Sequence, residues 1–205
     1  MKILALETSA KAVSAAVAEG GKILCAGYQD TGLTHRRTLM PIVEHILKNT
    51  DLSMADMDVI AVSAGPGSFT GIRIGVAAAK GFAWGKELPC YGVSTLEAMA
   101  RSLGIYDGYV LPVMDARRSQ VYNALFLAEG GKLTRLTEDR AIALADLAEE
   151  LKILQKPIFL VGDGSNLCYN TLLEEVPGLV LPPEHRMHQR ASGVCLAATG
   201  MIEAG

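Results

Sequence analysis

Aromatic side chains are scarce in this sequence: four Phe, six Tyr and one Trp among 205 residues. A core built on large rings is therefore excluded, and the plentiful Ala and Gly predict close packing of small side chains. Positive charge is not in excess. Nineteen Lys and Arg face 22 Asp and Glu, giving a formal net charge of −3. A chain that captures RNA on its own needs a basic face, so direct RNA reading is not the expected role. No apolar run reaches the roughly 20 residues of a membrane span. Met1 to Leu6 runs straight into a strand-like segment, without the layout of a signal peptide. The four cysteines, Cys25, Cys90, Cys168 and Cys195, lack C-x-x-C spacing. Buried reduced thiols in a cytoplasmic protein are the expected state, rather than disulfides or a zinc site.

What is present is a globular composition, half hydrophobic and 20% charged, long enough for one large or two small domains. Strands are expected at Lys2–Leu6, Val13–Ala18 and Lys22–Tyr28, the last two joined by Glu19-Gly20-Gly21. A helix is expected over Thr38–Lys48, where Leu39, Ile42, Val43, Ile46 and Leu47 share a face; Thr38 as N-cap makes Pro41 tolerable, whereas a start at Thr34 would predict a kink. Next come a strand at Val59–Ser63, a helix over Phe69–Trp84, a strand at Cys90–Val93 and a helix over Thr95–Leu103. Ser94 and Glu97 supply a capping box for that last helix, and Gly104 suits its C-terminal stop.

The second half repeats the first. Tyr109–Met114 reads as a strand, and Gln120–Leu127 with Lys132–Thr137 as a hairpin. Its turn, Ala128-Glu129-Gly130-Gly131-Lys132-Leu133, nearly copies Ala18-Glu19-Gly20-Gly21-Lys22-Ile23. An acid ends the first strand of each half, Glu7 and Asp115. A helix (Leu144–Leu154), a strand (Ile158–Val161) and a helix (Asn166–Glu175) follow. Two βββαβα units of this kind predict a duplicated, two-lobed, actin-like (ribonuclease H-like) α/β fold. The expected lobes are 1–104 and 105–205, divided at the loop-like stretch Leu103–Gly108.

The most specific stretch is Ser63-Ala-Gly-Pro-Gly-Ser-Phe-Thr-Gly-Ile-Arg-Ile-Gly75. Gly65, Pro66 and Gly67 make a stiff strand-to-helix turn, which can cradle a phosphate on N–H groups or serve packing. It lacks the G-K-[ST] ending of a P-loop. Gly71, Gly75 and Ala79 recur every fourth residue, and glycine inside a helix costs about 1 kcal/mol relative to alanine. That cost favours close helix packing without excluding a phosphate.

The segments ETSAKAVSAAV, HRRTLMPIVEHIL, SAGPGSFTGIRIGVAAAKGFAWG and VMDARRSQVYNALF resemble the TsaB (YeaZ) family, over essentially residues 1–165. The resemblance implies a part in making N6-threonylcarbamoyladenosine at position 37 of tRNAs that read ANN codons. It implies a homologous, metal-bearing catalytic partner, TsaD, and a small ATPase, TsaE. It also implies a strand-like tail that this sequence does not contain, so the second lobe is expected to be short at its end.

The residues themselves argue for a non-catalytic subunit without cofactor or metal. ATP-hydrolysing members of this architecture use D-x-G-T-like turns. Here the turns read Glu7-Thr8-Ser9 and Asp115-Ala116-Arg117-Arg118, neither with the glycine. No H-x-x-x-H pair exists among His35, His45, His185 and His188. Ser9 and Ser68 are nucleophiles by type only. Glu7, Asp115, Arg117 and Arg118 are the expected cleft residues, with the arginines either solvated or set for a partner or phosphate. The two expected helices should offer Leu39, Ile42, Val43 and Ile46 and Ile72, Gly75, Val76, Ala79 and Phe82 to the catalytic homologue. Alone, the chain would pair with a second copy through that surface, and tRNA would be met only through the complex. The rival readings are a degenerate ATPase or kinase, an M22-type glycoprotease-like enzyme, and a direct RNA-binding module.

Overall fold

The computed structural model describes residues 1–32, 34–104 and 107–205. The chain opens with strands β1 (Lys2–Glu7), β2 (Val13–Glu19) and β3 (Lys22–Gln29), helix α1 (His35–Asn49), strand β4 (Val59–Gly65), helix α2 (Phe69–Trp84), strand β5 (Cys90–Ser94) and helix α3 (Thr95–Leu103). These strands form one sheet in the order β3-β2-β1-β4-β5, an antiparallel meander extended by parallel strands. β1, β2 and β4 are buried on both faces, as central strands of covered sheets are. Leu4, Leu6, Val13, Val17, Ile60 and Val62 face α1 and α2. Ile3, Ala5, Ala16, Ala18, Val59 and Ala61 face the opposite way.

The second half contributes β6 (Gly108–Arg117), β7 (Gln120–Asn123), β8 (Phe126–Glu129), β9 (Lys132–Arg135), β10 (Arg140–Ala143), α4 (Leu144–Leu151), β11 (Ile158–Val161), α5 (Ser165–Leu172), β12 (Leu179–Val180), the single turn α6 (Glu184–Met187) and α7 (Ala191–Ala204). The sheet order β10-β7-β6-β11-β12 repeats that of the first half. The expected strand Gln120–Leu127 is interrupted: β7 pairs the C-terminal part of β6, and β8 the N-terminal part. Its partner is broken at the same level into β9 and β10. At the break the Leu136 and Thr137 N–H groups donate to the Leu125 carbonyl, and Leu125 N–H donates to Thr137 Oγ1 at 2.8 Å. The duplication therefore holds, with one hairpin whole and its copy split.

Two compact units result: Met1–Ala98 with Gln189–Gly205, and Met99–His188. The expected division at 104/105 is thus displaced, and 105–106 lie outside the described residues. The C-terminal helix α7, expected in the second lobe, packs in the first unit. Its Ala191, Val194, Cys195, Ala197 and Ala198 lie on the alanine-lined sheet face. Ala191 N–H donates to Ser14 Oγ at 2.8 Å, which ties the start of α7 to β2.

Local signals explain several boundaries. Ser94 Oγ accepts the Glu97 N–H at 3.1 Å at the start of α3, and Gly104 adopts φ +92° at its end. α1 starts earlier than the expected Thr38, with Thr34 as N-cap, so Pro41 lies in its second turn and the Arg37 carbonyl loses its helical N–H donor. The cysteines are free thiols, but only Cys168 and Cys195 are fully buried. Burial pushes both thiols up to about 12.

Candidate functional site

Three places gather the residues singled out in the sequence. The first is the acid turn of the first unit. Glu7 ends β1 at 1% exposure. Its carboxylate accepts the Ser9 N–H at 2.6 Å and the Ser63 hydroxyl. Burial pushes its pKa above the usual 4.5, against the lowering pull of the Ser63 and Ser9 hydrogen bonds. The Gly-rich turn clamps this segment from outside. Ser68 N–H donates to the Ser9 carbonyl at 2.7 Å, and Thr8 Oγ1 donates to the Gly71 carbonyl at 2.8 Å. A Cβ on Gly67 would stand 2.6 Å from the Ser9 carbonyl oxygen, and one on Gly71 or Gly75 would run into Thr8. The glycines therefore serve packing of α2 onto β1. The Ser68 N–H that a phosphate would need is spent on Ser9.

The second place is the matching turn of the second unit. Asp115 Oδ1 accepts the Arg117 N–H at 2.7 Å, the same i to i+2 bond that Glu7 makes with Ser9. Here the acid is exposed. Arg117, Arg118 and Ser119 follow with φ of +66°, +53° and +58°. They border an open cavity of ≈ 630 Å³ that is also lined by the start of α4 and by Leu167 and Thr171 of α5.

The third place is the outer side of α1 and α2. Both helices lie on one sheet face, and Leu39, Val43, Ile46 and Ala79 are spent in that core; Gly75 is buried against Thr8 and Val62. Ile42, Ile72, Val76 and Phe82 are half-buried. Phe69, Ile72 and Val76, at i, i+3 and i+7, share one flank of α2. Phe69 is 69% exposed, with the Arg73 guanidinium 3.7 Å over its ring, and Trp84 at the far end of the helix is 86% exposed.

Comparison with known proteins bears on what these places are for. Residues 29–198 match a family model described as TsaD: tRNA N6-adenosine threonylcarbamoyltransferase. The tRNA threonylcarbamoyladenosine biosynthesis protein TsaB of Bacillus subtilis is 35% identical over 178 residues, covering 87% of this chain and 77% of that protein. The chain belongs to the TsaB family. YeaZ from Pseudomonas aeruginosa has the same fold, with a TM-score of 0.77 at 24% identity over 100% of this chain and 93% of that one. The ADPNP-bound activator of 2-hydroxyisocaproyl-CoA dehydratase from Clostridium difficile shares the fold more distantly, with a TM-score of 0.55 at 12% identity over 100% and 97% of the two chains.

In this TsaB-family chain the expected partner residues thus divide. Leu39, Val43, Ile46, Gly75 and Ala79 are corrected to core positions, because a four-residue recurrence marks a helix face without saying which side it faces. Small residues there let a helix approach its own sheet as readily as another helix. Glu7 is likewise buried, held by Ser9 and Ser63 of its own unit. Phe69, Trp84 and Met40 were missed as exposed apolar side chains. Phe69 continues the Ile72–Val76 flank at i−3 and i−7, a spacing the sequence does show. The histidines are dispersed: His35 bonds the Ala10 carbonyl at 2.6 Å, His45 the Asn49 amide at 2.8 Å and His188 the Glu184 carboxylate at 2.7 Å.

Proposed function

We propose that this chain is a non-catalytic accessory subunit of tRNA N6-threonylcarbamoyladenosine synthesis, pairing with a TsaD-type catalytic homologue that a TsaE-type ATPase joins. The observation that carries the reading is the kinship to the TsaB of Bacillus subtilis over most of both chains. The chemistry of the acid turns supports it. The Glu7 carboxylate is committed to Ser9 and Ser63 inside the unit, where a nucleotide-hydrolysing member would present an acid to metal or water. The net charge of −3 supports meeting tRNA through the complex rather than alone.

The contact surface is the outer flank of α2, Phe69, Ile72 and Val76. An aromatic anchor exposed to this degree, with half-buried aliphatic residues along the same flank, has the composition of an interface centre. Without the homologue, the same flank serves both chains of a two-fold pair.

Co-expression with the catalytic homologue of the same cell tests this. The wild-type chain should co-purify with it, and Ile72→Glu should not, with circular dichroism and melting temperature unchanged. Recovery of Ile72→Glu at wild-type yield would remove α2 from the interface.

A further inference from the structure

The β6–β7 turn holds a feature that the partner reading leaves unused. This chain makes its other two tight hairpin turns with glycine pairs, Gly20-Gly21 at φ +55° and +81° and Gly130-Gly131 at +57° and +79°. The β6–β7 turn asks for the same left-handed backbone and fills it with Arg118-Ser119, preceded by Arg117, also left-handed. Glycine suits such positions, and a side chain there opposes the fold. Neither guanidinium has an ion-pair partner among the described residues, whereas Arg135 and Arg140 of the same unit pair with Asp139 and Glu150.

The two arginines border the ≈ 630 Å³ cavity, which lies wholly within the second unit. That volume falls in the range of small-molecule sites. Its polar side carries Arg117, Arg118 and the hydroxyl of Ser119, set against one carboxylate, Asp115, whose Oδ1 already accepts the Arg117 N–H. Its apolar lining is the exposed side chain of Leu167, since Leu144 turns its side chain into the core of the unit. Thr171 adds its methyl group there, since its hydroxyl is spent on the Leu167 carbonyl at 2.8 Å. The start of α4 adds little to this site, because its Leu144 N–H is spent on the Ser119 carbonyl at 3.0 Å and Asp146 lies in its first turn.

We propose that this cavity binds a small phosphate-bearing molecule with an apolar portion. Guanidinium groups grip phosphate oxygens through paired N–H donors, and the leucine side would take the organic part. A concave site with one apolar wall fits a small phosphomonoester rather than an RNA strand, which asks for a basic track along the surface. The inference does not depend on the α2 interface.

Titration of the full chain with phenyl phosphate and with inorganic phosphate, followed by calorimetry and backbone amide shifts, tests it. Phenyl phosphate should bind saturably, tighter than inorganic phosphate, with shifts confined to residues 115–119, the start of α4 and the Leu167–Thr171 stretch of α5. Arg118→Gly should weaken binding by roughly ten- to hundredfold, the loss of charged hydrogen bonds, while leaving the melting temperature equal or higher, because glycine relieves the positive φ. Leu167→Ala should weaken phenyl phosphate and leave inorganic phosphate unchanged. Absence of saturable binding at millimolar ligand would overturn the proposal. So would equal binding by wild type and Arg118→Gly, or tRNA binding lost in Arg118→Gly while phenyl phosphate shows none.

Discussion

At the scale of single residues, Glu7 and Gly75 carry the account of the first unit. Because burial raises the Glu7 pKa, the folded chain holds that proton more tightly than the unfolded chain does. The resulting stability is present below the usual 4.5 and is lost as pH rises through the higher folded value. Urea unfolding from about pH 4 to 8 should show wild type losing stability relative to Glu7→Gln as pH rises; parallel curves would mean that Glu7 is not held as described. Gly75 tests the packing role of the glycines. A Cβ there would meet Thr8 Oγ1 and stand 3.2 Å from a Val62 methyl. Gly75→Leu should therefore cost about 1–3 kcal/mol or more in denaturant unfolding, whereas a leucine at a partner-facing position would leave stability unchanged. Residue spacing revealed the flat face of α2 but not its orientation. The deciding neighbours, Thr8 and Val62, lie far away in sequence.

At the scale of elements, those with a strong local signature were legible. Ser94 and Gly104 bracket α3, Ser68 begins α2 by accepting the Gly71 N–H at 3.3 Å, and the run of Ile158–Val161 stands alone between breakers. Elements defined by tertiary pairing were not. The break between β7 and β8 is stabilised by Leu136 and Thr137 of the β9–β10 connection, so nothing local to Ala124-Leu125 announces it. α7 is also weakly marked, because Ala191–Ala204 is small and apolar around most of its circumference and shows no polar stripe. Its packing on Ala5, Ala16, Ala18 and Ala61 leaves no room for larger groups. Ala198→Leu should accordingly lower stability by about 1–3 kcal/mol, read from the denaturant midpoint; an unchanged midpoint would mean that α7 does not close this face.

At the scale of the whole molecule, duplication was legible because both halves keep the acid, the glycine-pair turn and the following βα order. The two copies then diverge in chemistry. In one, the acid turn is buried and sealed by glycines at Gly67, Gly71 and Gly75. In the other it is open, with arginines at strained positions beside a cavity. Neither keeps the glycine of a hydrolytic turn. In the first unit α2 is thereby locked onto the turn that follows β1, with Phe69 exposed and Ile72 and Val76 half-buried beside it. Which unit α7 joins could not be read from order along the chain, since it returns to the first unit after the whole of the second.

On the proposed reading, the first unit supports tRNA modification by pairing rather than by chemistry. The most direct measurement is the N6-threonylcarbamoyladenosine content of tRNA, by mass spectrometry, in cells whose own copy of this protein is replaced by variants. Glu7→Gln should retain the modification, and Ile72→Glu, folded and expressed, should lose it. Full modification in cells carrying Ile72→Glu, or its loss with a folded Glu7→Gln, would contradict the account.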